Sequence, residues 1–220
     1  MMKESKQSDL DLKPDLKSGS HSEPGAIART ASIGRPRSLQ TETNILESAA
    51  RLVAEYGYAA TSIEKVAANA GVGKASIYRR WSSKAAMMIR VYRWLVPEES
   101  LQSKSGIFEE DFRHLLKKLF KSYRDCPSGI ILIGIIAESQ SNQEAMSALK
   151  HGVIQERRVI LTEILKQGIA SGELGKGINL IEITDLITAM IWHRLLTDRR
   201  NLNSAFINSI MKTIIAVGKC

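Results

Sequence analysis

The chain has 220 residues, 44% of them apolar and 25% charged, a balance ordinary for a soluble globular protein with one large domain or two modest ones. Its formal net charge of +8 favours polyanionic partners such as nucleic acid or an anionic membrane surface. The two cysteines, Cys126 and Cys220, are far apart and lack CxxC or Cys/His spacing, which excludes a disulfide framework and a zinc site and predicts a reducing compartment.

Residues 1–39 are rich in Ser, Lys, Asp, Gly and Pro and show no periodicity. Such a stretch buries too little apolar surface to offset its ordering entropy, so a disordered N-terminal arm is expected. The opening residues include Lys3, Glu4, Lys6 and Asp9 and hold no apolar h-region, so no signal peptide is expected. The arm ends in Gly34-Arg35-Pro36-Arg37, where Gly and Pro keep the chain extended and narrow. Arg35 and Arg37 would then suit a minor groove; a charged linker is the alternative reading.

From Thr41 the pattern is helical. Ile45, Ala49, Leu52, Val53 and Tyr56 recur at helical spacing, and Gly57 predicts a left-handed stop. Thr61-Ser62-Ile63-Glu64 reads as a capping box with Thr61 as the cap, opening a helix that runs to about Ala70 and ends at Gly71. A short helix follows from about Lys74 to Trp81, and a fourth from about Ser83 to Leu95, halted by Pro97. The stripe Phe108, Phe112, Leu116, Leu119, Phe120 predicts the next. The apolar run Ile130–Ala137 contains Gly134 and is far short of the ~20 residues of a membrane span, so no membrane partner is expected. Ser141 with Glu144 reads as a second capping box. Ile154, Arg158, Leu161 and Leu165 mark one face of a long helix, Asn179 opens another through about Leu196, and Asn203 caps the last. No strand-like alternation appears, and the expected fold class is all-α.

The segment from Thr61 to Lys84 carries the function. Two short helices meet at a tight turn: Ala67 and Ala70 allow close crossing, Gly71 permits a positive φ, and Val72 fills the angle. Ile77 and Trp81 lie four apart and face inward. Lys74, Ala75, Ser76, Tyr78, Arg79 and Arg80 are left on the exposed sides of a cationic helix that can enter a major groove. Lys74 can donate to guanine O6 and N7, Ser76 can bond either base of a pair, and Ala75 can touch a thymine methyl. Tyr78 and Lys84 suit phosphate oxygens, as do Thr61 or Ser62 at a helix N-terminus; Arg79 and Arg80 suit either task. Glu64 is the single acidic residue between Thr61 and Lys84.

Ala70-Gly71-Val72, Ile77-Tyr78, Trp81 and Ser83-Lys84 resemble, in identity and spacing, the N-terminal domain of the TetR/AcrR regulator family. The resemblance is specific over about residues 41–95; beyond that it rests on architecture. Gly73 stands where the family more often has Ser at the helix cap, and Gly caps acceptably. The resemblance implies a cytoplasmic homodimer that binds a double-stranded, (pseudo)palindromic operator, usually as a repressor released by a small molecule. The expected division is an arm (1–39), a three-helix DNA-binding domain with helix-turn-helix (40–86) and a larger helical effector-binding and dimerisation domain (87–220). A ligand-independent architectural DNA binder on the same fold is the alternative.

The last two helices are apolar on more than one side. On the first, Ile181, Ala189, Trp192 and Leu196 lie off the main stripe of Ile183, Leu186, Ile187, Met190, Ile191 and Leu195. A helix of that kind is usually buried on more than one side, as a four-helix pairing between two copies of the chain would bury it; a deeply buried core pair is the alternative. An effector cavity, placed among the middle helices by the family resemblance, would draw its wall from Phe108, Phe112, Leu116, Phe120, Ile131, Ile135 and Ile164, with Trp192 and His193 for aromatic or polar contacts. His21, His114, His151 and His193 are scattered, and HExxH, GxSxG, Walker and GxGxxG motifs are absent. No catalysis, metal or cofactor is expected.

Overall fold

Helical periodicity becomes helix nearly everywhere in the computed structural model, which describes residues 37–102 and 104–217 and, within these, side chains from Leu39 onward. Ten α-helices follow one another among the described residues, with no strand: α1 (Arg37–Ala60), α2 (Ile63–Asn69), α3 (Lys74–Tyr78), α4 (Lys84–Leu95), α5 (Phe108–Asp125), α6 (Ser128–Ser139), α7 (Gln143–Leu149), α8 (Gln155–Ala170), α9 (Leu180–Asp198) and α10 (Ser204–Val217). A wide π turn over Lys150–Ile154 joins α7 to α8.

Two local expectations shift. α1 starts at Arg37, four residues before Thr41, so Arg37 belongs by its backbone to the helix and not to the arm. Proline is favoured at a helix's first turn, so Pro36 in the sequence is no barrier to that start. Arg35, with the rest of residues 1–36, and Cys220 lie outside the described residues. At Gly57 the backbone turns to φ 81°, ψ 169°, a region essentially reserved for glycine, and one more turn follows the break.

The caps show a consistent offset. Ser62, not Thr61, caps α2, its hydroxyl accepting from the Lys65 amide at 3.3 Å. Thr61 is buried and donates its hydroxyl to the Gly57 carbonyl at 2.8 Å, which takes it out of capping. Likewise Asn142, not Ser141, caps α7, because one Oδ1 reaches both the Glu144 and Ala145 amides. Asn179 and Asn203 cap α9 and α10 as predicted.

The core is built around α5, whose Phe108, Phe112, Leu115, Leu116 and Phe120 are almost completely buried, and which packs on α6, α8 and α10. Asp111, also buried, accepts from the Ser105 amide (3.0 Å) and hydroxyl (2.7 Å) and from the Gly106 amide (3.3 Å), fixing the chain that enters α5.

The N-terminal helices sit on this core through α6, which packs against both α1 and α4. Gly134 lies against the Tyr58 ring so closely that a Cβ there would overlap it. The Tyr58 hydroxyl donates to Glu138 at 2.6 Å, and burial, reinforced by that bond, raises its pKa so that it stays protonated. Lys84 donates to the Tyr58 carbonyl at 2.8 Å with its ammonium 4.2 Å from the ring centroid, and Ser82 donates to Glu144 at 2.6 Å. Gly134→Ala drives a methyl into the ring, and overpacking of this kind costs about 1–3 kcal/mol. Urea unfolding should show a lower midpoint for this variant; an unchanged midpoint would mean that the ring can yield at no cost.

Candidate functional site

The chain between α2 and α3 is a tight turn whose parts have separate physical tasks. On α2, Ile63, Val66 and Ala67 are buried and fix the helix to the core. Gly71 takes φ 65°, and nothing lies within 4 Å of a Cβ built there, so conformation and not space demands glycine. The Val72 amide closes the turn on the Ala67 carbonyl at 3.0 Å, and Val72 itself is half-buried against the core.

α3 is short, and Gly73 caps it without a side chain. Helical bonding continues past it: the Arg79 amide reaches the Ala75 carbonyl (3.1 Å) and the Trp81 amide the Ile77 carbonyl (3.0 Å). Ile77 is fully buried and Trp81 half-buried, so both expected anchors point inward. Lys74, Ala75, Tyr78 and Arg79 are exposed; Ser76 and Arg80 are half-buried and tied together, with the Arg80 guanidinium donating to the Ser76 carbonyl (2.9 Å) and hydroxyl (3.1 Å). Lys74 is paired with Glu64 across the turn at 3.0 Å. Its hydrogen bond holds the Glu64 carboxyl down at about 2. The pair is exposed on both sides, and such pairs are worth little against water or another anion.

Two expected phosphate donors have partners inside the protein. The Thr61 hydroxyl is committed to Gly57 inside the protein. The Lys84 ammonium is spent on the Tyr58 carbonyl and ring, and burial lowers its pKa. Ser62 remains half-buried at the N-terminus of α2. Arg51 on α1, which the sequence pattern did not single out, donates to Asn69 at the end of α2 and braces the turn from behind.

The helical half contains an inner cavity lined by Leu115, Leu119, Tyr123, Val153, Ile154, Arg157, Leu161, Thr188, Ile191 and Trp192. It encloses about 470 Å³, partly open to solvent, most of it too narrow to admit a water molecule. Of the residues expected to line an effector cavity, Trp192 lines this one. Phe108, Phe112, Leu116, Phe120, Ile131 and Ile135 are instead fully packed core, Ile164 lines a separate surface pocket, and His193 is exposed. The most apolar positions of each helix point at the centre of the packing, so the cavity falls to their neighbours one position along. The predicted face of the long helix is corrected in the same way. Arg157, not Arg158, points inward, while Arg158 pairs with Asp185 on α9 at 2.5 Å.

Residues 45–91 match the family model described as bacterial regulatory proteins, tetR family, and residues 103–214 that of the tetracyclin repressor-like C-terminal domain. The HTH-type transcriptional regulator YdeS of Bacillus subtilis (strain 168) is 27% identical over 178 residues, covering 81% of this chain and 89% of YdeS. Among solved structures, the TetR family transcription regulator SCO0332 superposes with a TM-score of 0.68 at 23% identity, over 82% of this chain and 99% of its own. FadR from Bacillus subtilis in complex with stearoyl-CoA gives 0.62 at 23% identity, over 79% and 97%. At these identities the two structures show a shared fold.

The position of Lys84 separates a structural role from a phosphate-binding one. Lys84→Met should lower stability by about 1 kcal/mol through the lost bond and ring contact. It should leave unchanged the slope of log affinity for duplex DNA against log salt. A slope smaller by about one would restore the phosphate role.

Proposed function

Because the chain belongs to the TetR family of bacterial regulatory proteins, and so is a DNA-binding transcriptional regulator and not an enzyme, we propose that it is a homodimeric repressor of a palindromic operator, released by a small molecule. Residues 40–86 read the DNA; residues 87–220 dimerise and hold the effector. The observation that carries the reading is the outward presentation of Lys74, Ala75, Tyr78 and Arg79 on a helix pinned from behind by fully buried Ile77.

Lys74 donates to a guanine edge after exchanging Glu64 for the base, Ala75 meets a thymine methyl, and Ser76 bonds a base once Arg80 turns to a phosphate. Ser62, Tyr78 and Arg79 contact phosphates, with Arg35 and Arg37 following the minor groove. In a dimer the two copies of α3 would enter successive major grooves about 34–36 Å apart. Dimerisation is supported by α9, where Ile181, Leu186 and Leu196 are exposed on one protomer, and Ala189 with them. The apolar side of α10 contributes less, since Ile207, Ile210, Met211 and Ile214 are already buried within the protomer. Release is supported by the inner cavity, which lies in the half of the chain that matches the repressor-like C-terminal domain.

Lys74→Ala should cost about 1–3 kcal/mol at the preferred operator and relax specificity at one base pair. An equal loss on random duplexes would assign Lys74 to the backbone. The double substitution Ile181→Asp, Leu196→Asp should give a folded monomer in sedimentation with operator affinity collapsed; a dimer that persists would move the interface elsewhere.

A further inference from the structure

Arg157 sits on α8 within an otherwise apolar face, between Val153 and Leu161, and lines the inner cavity. Both of its hydrogen bonds leave from Nη2 and both are long, 3.5 Å to the Tyr92 hydroxyl and 3.4 Å to the Val96 carbonyl. Its Nε is buried with no partner. Among the described residues no carboxylate pairs with it; the adjacent Glu156 is taken by Arg93 at 2.9 Å. Half-buried, Arg157 has the Tyr92 ring 5.7 Å from its guanidinium carbon as a cation–π partner, and that contact leaves most of its five donors for an anion. Beside it the hydroxyls of Tyr92 and Tyr123 share one hydrogen bond of 2.9 Å, which leaves a further O–H free to point at an acceptor. Burial keeps the Tyr123 hydroxyl protonated.

Resting on the effector reading above, we propose that this cavity is made for an aliphatic carboxylate, with its tail among Leu119, Val153, Leu161 and Ile191 and its two oxygens on the Arg157 fork. The lining supplies one cation and otherwise mostly hydrocarbon. A monoanion answers that cation; a phosphate dianion would leave excess charge in apolar surroundings, and an ammonium would face the guanidinium with like charge. An ester or thioester has no anionic oxygen for the fork. The space is too narrow for any chain as it stands, so its lining must part on binding, and a slim flexible chain requires less parting than a fused ring. Planar, bidentate recognition of a carboxylate is the task for which an arginine fork is best shaped.

Calorimetric titration of the full chain with dodecanoate and with 1-dodecanol, both below micelle formation, tests the assignment. Dodecanoate should bind about tenfold tighter or more, the usual worth of a charge-assisted hydrogen bond. Arg157→Met, which keeps the length and removes the fork, should erase the difference, while Arg157→Lys should keep part of it. Equal affinity of the two probes for the wild-type chain overturns the proposal, as does a carboxylate preference that survives in Arg157→Met. Should the methionine variant not fold, the wild-type pair and the lysine variant decide. The same titration with operator present separates the two readings. Arg157-dependent dodecanoate binding that leaves operator affinity unchanged keeps the ligand class and removes the release mechanism. Release by an uncharged compound alone keeps the mechanism and removes the ligand class.

Discussion

A helix the length of α3 has no stability of its own, because isolated helices shorter than about 12–15 residues are marginal even in favourable sequences. Its direction is therefore set by the burial of Ile77, the one residue of α3 with no solvent exposure. Ile77 belongs to the core cluster, and α3 packs against α2 across the Gly71 turn. The exposed residues can vary in chemistry without disturbing that seat, since Lys74, Ala75, Tyr78 and Arg79 contribute little burial. In the proposed reading, fold and specificity are carried by opposite faces of the same short helix, a separation that would let one scaffold read many sequences.

That seat is in turn held by the larger helical half. α4 packs on α1, α6 and α7 at once, so it belongs to both parts of the molecule. Its N-terminal end is fixed by Lys84 on the Tyr58 carbonyl, and Tyr58 is wedged between Gly134 and Glu138 of α6. Further along, Tyr92 of α4 meets Tyr123 of α5 and Arg157 of α8. Contacts that hold the N-terminal helices and contacts to the cavity-lining Tyr123 and Arg157 thus lie on a single helix of 12 residues.

Much of this was legible from residue type and spacing. Ile77 and Trp81 face inward as the i, i+4 pattern requires, and Gly71 has the positive φ that its place in the turn demands. What the pattern could not show was competition for a side chain. Thr61 fits a cap by type, but the break at Gly57 offers its hydroxyl a carbonyl first, and Ser62 inherits the task. Lys84 looks like any exposed cation in a basic segment until Tyr58, 26 residues away in sequence, presents a carbonyl and a ring to it. The cavity escaped for a related reason. Strong stripes such as Phe108, Phe112, Leu116 and Phe120 mark the best-packed positions, which are the least able to leave a void. The readable signal was an arginine recurring at helical spacing among Val153, Ile160 and Leu161, a charge on an apolar face.

A ligand shifts a conformational equilibrium only by the difference in its affinity for the two states. An occupant of the cavity that touched only Leu119 or Ile191 would meet side chains of the larger half alone, and would have no means of distinguishing one setting of the reading head from another. One that engages Arg157 competes directly with the Tyr92 hydroxyl and the Val96 carbonyl, both on or at the end of α4. Those two bonds are long and weak, so their exchange for a charged partner costs little locally while it removes two ties between α8 and α4. In the release mechanism proposed above, coupling between cavity and DNA would need no extended chain of small movements. It would need only that α4, freed at one end and pinned at the other by Lys84 and Tyr58, settles differently against α6.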